Sequence, residues 1–329
     1  MKNVVLIADR ICDFKSETSH SRNLEYIEDN YFIPLYDTLC SISPCVYHYG
    51  SPNEFLDNIA KHENDIAFTI WSGQNSRNRK AIVQSICEGY NIPYIGADSY
   101  LQIISADKHL SKEICKPYGI FGAGDVLISN IEDAWLIKSL TFPIIIKPNL
   151  EGGSIGISQD NVVFSYEDAI SLCKKILPHF SPLIAEEYLQ GEEINICIAG
   201  INGSIDVFQA IRQQLWDKTF FTHEILGIEV KKVDASMRST EVVTGTFPFK
   251  EKEKLISLFN SFGKAEIMRI DGRLFNDEFK LIELTPDCSF SKTTSISKAF
   301  LASGYTYHQM LKLLLENAIK AWESQNANR

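Results

Sequence analysis

The chain lacks a stripe of lysine and arginine, a Cys-x-x-Cys pair, a His/Cys ligand pattern and any apolar run long enough to cross a bilayer. Each absence removes a class of function. With 32 basic against 42 acidic residues the net charge is −10, so nucleic acid is not expected as a partner and any bound anion must be held locally. The stretch from Met1 to Asp9 offers one short apolar strand before Asp9 and Arg10 interrupt it. That is too short for a signal peptide or a membrane span, and the expectation is a cytoplasmic protein with no membrane partner. The 8 cysteines (Cys12, Cys40, Cys45, Cys87, Cys115, Cys173, Cys197 and Cys288) are scattered, which reads as reduced, mostly buried thiols. At 329 residues the chain can hide roughly 75% of its unfolded surface, enough for two or three sub-domains around a shared core.

What is present centres on the stretch from Phe142 to Gly200. Pro143 to Pro148 is a short β-branched run, and its Lys147 can present a fixed ammonium to a phosphate. Glu151-Gly152-Gly153-Ser154-Ile155-Gly156 follows, with little side chain to keep its backbone N–H groups from wrapping phosphate oxygens, although many glycine-rich turns are only turns. About forty residues on, an expected strand from Leu183 to Leu189 turns polar at Glu186-Glu187, and Gly191-Glu192-Glu193 leads into another from Ile194 to Ala199. An extended connector of this kind can offer backbone groups to an adenine edge, while Glu193 accepts bonds from ribose hydroxyls; the competing reading is a solvated acidic turn.

Upstream, Val4 to Ala8, Asp65 to Ile70 and Ile92 to Gly96 read as strands separated by helix-compatible sequence, a small parallel α/β unit. Its candidate substrate loops are Arg10 to Leu24 and Ser72 to Lys80, the latter carrying Arg77 and Arg79, though charged loops are usually just solvated. A helix is expected from Ser105 to Tyr118, with Gly119 as its C-terminal cap. Lys108 in its first turn opposes the helix dipole and needs another partner, for which a phosphate qualifies as well as solvent does. Ser165 to Asp168 resembles a capping box, and Asn202-Gly203 marks a hairpin. The mixed segment from Gln213 to Val233 fits an active-site loop. Near the C-terminus two strands are joined by a turn at Asn276-Asp277. Arg269 and Asp271 share one face of the first, and Glu283 sits near the end of the second. This grouping suits a hard metal beside a transferring phosphoryl group, with a structural salt bridge as the alternative.

The order of these pieces resembles the ATP-grasp superfamily, and within it the D-alanine–D-alanine ligases. The resemblance runs from about Ile92 to Gly304 through NIPYIG with ADK, FPIIIKPNLEGGSIGIS, EEYLQGEEI, and RID with IELTP. It implies an α/β (α+β) ATP-grasp fold. Expected domains are an N-terminal parallel α/β domain at 1–98, a central lid domain at 99–186 and a C-terminal mixed-sheet domain with the metal site at 187–329. ATP and magnesium are implied, with manganese as an alternative ion. Lys108 and Lys147 would contact phosphates, and Glu151 through Gly156 (Glu151, Gly152, Gly153, Ser154 and Gly156 among them) would form the closing loop. Glu186, Glu187, Tyr188 and Leu189 would be the adenine connector, with Glu193 on the ribose and Ile282 under the base. Asp271 and Glu283 would hold the metal, and Arg269 would stabilise charge while a carboxylate attacks the γ-phosphate.

Departures from the family concentrate where substrate is chosen. Thr285 stands where relatives have an asparagine metal ligand, with Asp287 as a candidate compensator. Gly153 replaces the first of two substrate-orienting serines, leaving Ser154 as the second. Leu226 matches a lysine that reaches the γ-phosphate, for which Lys231 or Lys232 could substitute. The family's first-substrate turn becomes DRICDFKSETSHSRN, and SGQNSRNR replaces an acidic glycine loop. The expectation is an ATP-dependent carboxylate–amine ligase joining small molecules, amino acids other than a D-alanine pair, with a homodimer as a further expectation because relatives are often dimers. The alternatives are a D-alanine–D-alanine ligase proper, a kinase releasing a phosphorylated product, and a nucleotide-binding regulator with little turnover.

Overall fold

The computed structural model describes residues 2–10, 25–73, 76–227 and 237–326. Three sheets organise them. In the first, β1 (Val4–Ile7) lies between β2 (Val46–Tyr49) and β3 (Ile66–Thr69), all parallel, with α1 (Asp29–Ile42), α2 (Pro52–Asp57) and α3 (Ile82–Gly89) in the connections. All four β1 residues are buried, the continuous apolar run expected of a strand covered on both faces. Phe32, Leu35 and Leu39 form the inward stripe of α1. The strand expected at 92–96 is reduced to one bridge between Tyr94 and Ala67. Pro93 has no N–H to extend the ladder, and Gly96 leaves the extended region with φ 92°.

The single helix expected at 105–118 is two helices, α4 (Ser99–Ala106) and α5 (Lys108–Cys115), followed by a short 3-10 turn. Asp107 breaks it: its backbone is extended, and its side chain accepts from the Leu110 N–H to cap α5. Lys108 thereby becomes the first residue of a helix. Gly119 ends the 3-10 turn with φ 71°, in the left-handed conformation expected of it.

After β4 (Phe121–Gly122), the second sheet is antiparallel in the order β5-β8-β6-β7: β5 (Asp125–Ile128), β6 (Ile144–Pro148), β7 (Val162–Val163) and β8 (Leu183–Glu187). Helix α6 (Tyr166–Ile176) buries Ala169, Cys173 and Ile176, and its N-cap Ser165 accepts from the Asp168 N–H. The third sheet contains β9 (Gly191–Ile201), β10 (Ser204–Leu215), β11 (Phe220–Phe221), β12 (Arg238–Val242), β13 (Ile267–Phe275) and β14 (Glu278–Thr285). Its order is β12-β10-β9-β13-β14-β4, with β11 on β9. The turns at Asn202-Gly203 (φ 50° and 82°) and Asn276-Asp277 (φ 50° and 62°) have the left-handed pairs of tight hairpins. A bulge follows Asp271, where a Cβ on Gly272 would lie 2.3 Å from Phe279.

Helices α7 (Phe249–Ser261), α8 (Ser295–Ala302) and α9 (Tyr307–Asn326) complete the described chain. One apolar cluster joins Leu6 and Phe68 of the first sheet to Cys197 and Ile211 of the third through Phe300 and Leu314. The cleft walls contributed by these two sheets are therefore held by a continuous core. Among the described residues no helix is long and apolar enough to cross a membrane.

Candidate active site

The Lys147 side chain is buried at the end of β6, and its Nζ lies 2.5 Å from the Glu186 carboxylate. The register explains the meeting: Lys147 opposes Ile184, and Glu186, two residues along β8, projects from the same face. Lys112, 2% exposed on α5, also contacts Glu186 and lies 3.4 Å from Asp125. Burial opposes ionisation of Glu186, but the Lys147 and Lys112 charges outweigh it and hold the carboxyl at about 2. Lys108 Nζ donates to the Glu151 carbonyl at 2.5 Å and lies 3.8 Å from Glu283. Burial, reinforced by the Lys147 charge, makes it less basic than an ordinary lysine, against the pull of Glu283.

The glycine loop is anchored from both sides. Arg79, 1% exposed, donates to the Glu151 carboxylate at 2.9 Å and lies 3.7 Å from Glu25. Gly153 and Ser154 are both left-handed, with φ 61° and 62°, and a Cβ on Gly152 would lie 2.7 Å from Glu25. Ser154 Oγ donates to the Leu226 carbonyl at 3.3 Å, tying the loop to the segment after β11. Gly156 is not itself among the residues lining the cleft, although its neighbour Ile157 is, and a Cβ there would meet Phe180 at 2.9 Å and Pro148 at 3.1 Å. Leu226 is buried with Leu215 and Phe221, an apolar side chain at the position matched to the lysine. Lys231 and Lys232, and the loop at 11–24, lie outside the described residues.

At the other end, Asp271 and Glu283 are cross-strand partners on β13 and β14. Arg269 holds Asp271 through two bonds of 2.7 Å, Asn195 donates to the same carboxylate at 2.7 Å, and Arg269 also reaches Thr285 Oγ1 at 3.5 Å. Burial works against the Arg269 charge, yet Asp271 more than restores it and raises the guanidinium above its ordinary range. Among the described residues no group of three His, Cys, Asp or Glu side chains could cage a metal. Two facing carboxylates and a hydroxyl are hard oxygen donors that suit magnesium taking its other ligands from phosphate and water. Asp287 does not join them: its carboxylate pairs with Lys80 at 2.9 Å. Burial raises the Asp287 carboxyl, but Lys80 holds it below its ordinary value.

These groups line two communicating clefts. One is walled by Lys108, Lys147, Glu151, Gly152 and Ser154 on one side. Its other side comprises the Glu186 to Leu189 connector, Glu193, Ile282, Asp271 and Glu283. The second, larger one shares Lys108, Glu151, Gly152, Glu193, Leu226, Asp271 and Glu283 and adds Gly153, Arg269 and Thr285. Sequence reasoning missed Lys112, although it sits four residues from Lys108 and therefore on the same helix face. It also missed Arg273, which pairs with Glu193 at 2.9 Å and stacks over Phe221 at 4.6 Å.

On this three-sheet frame a cation-rich cleft opens beside Arg269 onto a polar chamber, and the family match marks the chain as an ATP-dependent carbon–nitrogen ligase of the ATP-grasp class. The D-ala D-ala ligase C-terminus model matches residues 123–316, more than half of the chain, and the chain belongs to that family. D-alanine–D-alanine ligase A of Bacillus cereus is 25% identical over 272 residues, covering 82% of this chain and 85% of the relative. The D-alanine–D-alanine ligase of Fervidobacterium nodosum is 23% identical over 274 residues, 78% of this chain and 82% of that one. In structure, the Bacillus anthracis D-alanine–D-alanine ligase complexed with ATP matches with a TM-score of 0.72 at 17% identity, covering 99% of this chain and 100% of that chain. The VanG D-Ala:D-Ser ligase of Enterococcus faecalis matches at 0.67 and 17%, covering 98% and 99%. The structural likenesses show the shared fold.

Proposed function

We propose that this protein joins a carboxylate to an amine through an acyl phosphate, with ADP and phosphate as co-products, on an amino-acid pair other than two D-alanines. The observation that carries the reading is the continuity of the two clefts, which share Lys108, Glu151, Asp271 and Glu283. A nucleotide and two small substrates can meet there. The altered acceptor half supports the finer statement: Arg79 and Lys80 are tied to Glu151 and Asp287 in its wall. We propose three domains around it, 1–98, 99–186 and 187–329. The three separate sheets support this division, with β4 reaching from the second domain into the sheet of the third.

In this reading Lys108 and Lys147 bind the phosphates of ATP, the Glu151 to Ser154 loop covers them, and the Glu186 to Leu189 connector holds the adenine against Ile282. Glu193, oriented by Arg273, accepts from the ribose. Asp271, Glu283 and Thr285 would hold magnesium, which neutralises phosphate charge when bound. A carboxylate oxygen of the first substrate attacks the γ-phosphorus as the bond to ADP breaks, and Arg269 stabilises the charge at the transferring group. The neutral amine of the second substrate then attacks the acyl carbon. The C–O bond to phosphate breaks, phosphate takes the electron pair, and the amine nitrogen loses a proton. The loop excludes water from the acyl phosphate while this happens.

Hydroxylamine tests the intermediate. With ATP, magnesium and the correct carboxylate it should give a hydroxamate in place of the amide; ADP formed without hydroxamate would contradict the acyl phosphate. A regulatory protein with little turnover is the second reading, favoured by the packed Leu226 side chain, and nucleotide binding without ADP formation would support it.

A further inference from the structure

Arg238 in the larger cleft's wall and Lys298, bonded two residues along the same strand, take no part in the chemistry above. Arg238 opens β12 opposite Leu215, and Thr240 is opposite Gln213, so Arg238, Thr240 and Gln213 share one face. That face belongs to the reacting end: Gln213 donates to Asn195 at 2.6 Å, and Asn195 donates to Asp271. Arg238 lines the same cleft as Arg269. Lys298 of α8, whose Ser295 bonds to Gln213 and Asn195 on that face, donates its Nζ to Thr240 Oγ1 at 2.5 Å.

Neither cation has a carboxylate within ion-pair distance among the described residues. Arg269 is clamped by Asp271, and Glu193, a carboxylate whose field favours the Arg238 charge, is committed to Arg273 at 2.9 Å. Burial, then the Arg269 charge, holds Arg238 below its ordinary basicity, and burial, then Arg238, does the same to Lys298. Among the described residues these two like charges are thus kept together with no carboxylate in ion-pair contact, at a Coulombic cost that a bound anion would remove. An amino acid whose amine is neutral for attack brings one negative charge. A second acidic group would match the second cation.

We propose that the amine substrate is a dicarboxylate, an amino acid with an acidic side chain, whose additional carboxylate is held by Arg238 with Lys298 beside it. The proposal rests on the ligase reading and assigns Arg238 a role in specificity.

The test uses the full chain saturated with magnesium and a non-hydrolysable ATP analogue. Calorimetry would compare L- and D-glutamate and aspartate with glutamine and asparagine, which have the same shape without the charge. The wild type should bind an acidic amino acid at least about tenfold more tightly than its amide, the effect expected of a charge-assisted bond. Arg238→Gln should reduce that ratio to about twofold or less with analogue affinity unchanged. Arg238→Lys should retain part of it, and Lys298→Met should lose part. Equal binding of acid and amide by the wild type, or undiminished discrimination by Arg238→Gln, would overturn the proposal. ADP release with the same compounds separates the two readings: acid-selective, Arg238-dependent binding without turnover supports the subsite and counts against the ligase. Turnover of neutral pairs without acidic preference counts against the subsite alone.

Discussion

Glu186→Gln removes one charge from a buried Lys112–Glu186–Lys147 cluster with little change of shape. Holding the Glu186 carboxyl at about 2 instead of its ordinary 4.5 corresponds to about 3 kcal/mol of preference for the charged form. The substitution leaves Lys147 and Lys112 without that counter-charge, a loss usually worth about 3 to 5 kcal/mol for buried pairs. A destabilisation of about 3 kcal/mol at pH 7 is expected, read from urea unfolding followed by circular dichroism. The sign with pH follows from the lowered value. The stabilisation by Glu186 is fully present above the unfolded carboxyl's ordinary range and is lost as pH falls toward 2. The gap between wild type and Glu186→Gln should therefore narrow between about pH 5 and pH 2. Adding Lys112→Met should recover part of the loss, because one of the two ammoniums that shared the Glu186 charge is then gone. A difference below about 1 kcal/mol at pH 7, or a gap that does not change with pH, would refute the reasoning.

Other substitutions probe the site. Lys147→Ala should weaken ATP binding by about 1.5 to 3 kcal/mol, as loss of a charged hydrogen bond does, and calorimetry giving unchanged affinity would remove Lys147 from the site. Glu283→Ala should abolish ADP release while circular dichroism shows the fold intact; retained turnover would exclude it as a metal ligand. Thr285→Asn should preserve or raise activity, since an amide oxygen is the stronger ligand, whereas loss of folding would mark a packing role. Gly156→Ala should destabilise by at least about 1 kcal/mol, through its φ of 70° and its crowding against Phe180, without altering ATP affinity. A selective loss of ATP affinity would return Gly156 to the phosphate site.

The groups that meet in the smaller cleft were legible because their signals are local. A β-branched strand ending in lysine, a loop of small residues and an Arg-x-Asp pair on one strand face need only the periodicity of a strand and the freedom of glycine. The ion pairs that position them were not legible. Arg79 and Glu151 are 72 residues apart, and Lys112 reaches Glu186 only after α5 packs across the strand layer. Such partners depend on tertiary packing, which no sequence window contains. Two local expectations failed for local reasons: Asp107 prefers to cap a helix over continuing one, and Pro93 cannot sustain a ladder. At Gly156 glycine can serve both backbone approach to a phosphate and close packing against Phe180, and no local sequence signal separates the two.

The most direct measurement is ADP release with ATP and magnesium across L- and D-amino acids, singly and in pairs, with mass spectrometry of each active mixture. The account predicts a signal that requires two different substrates, or a pair other than D-alanine with itself, and a product lighter by one water than their sum. Activity confined to D-alanine alone, or ATP binding with no ADP from any pair, would contradict it.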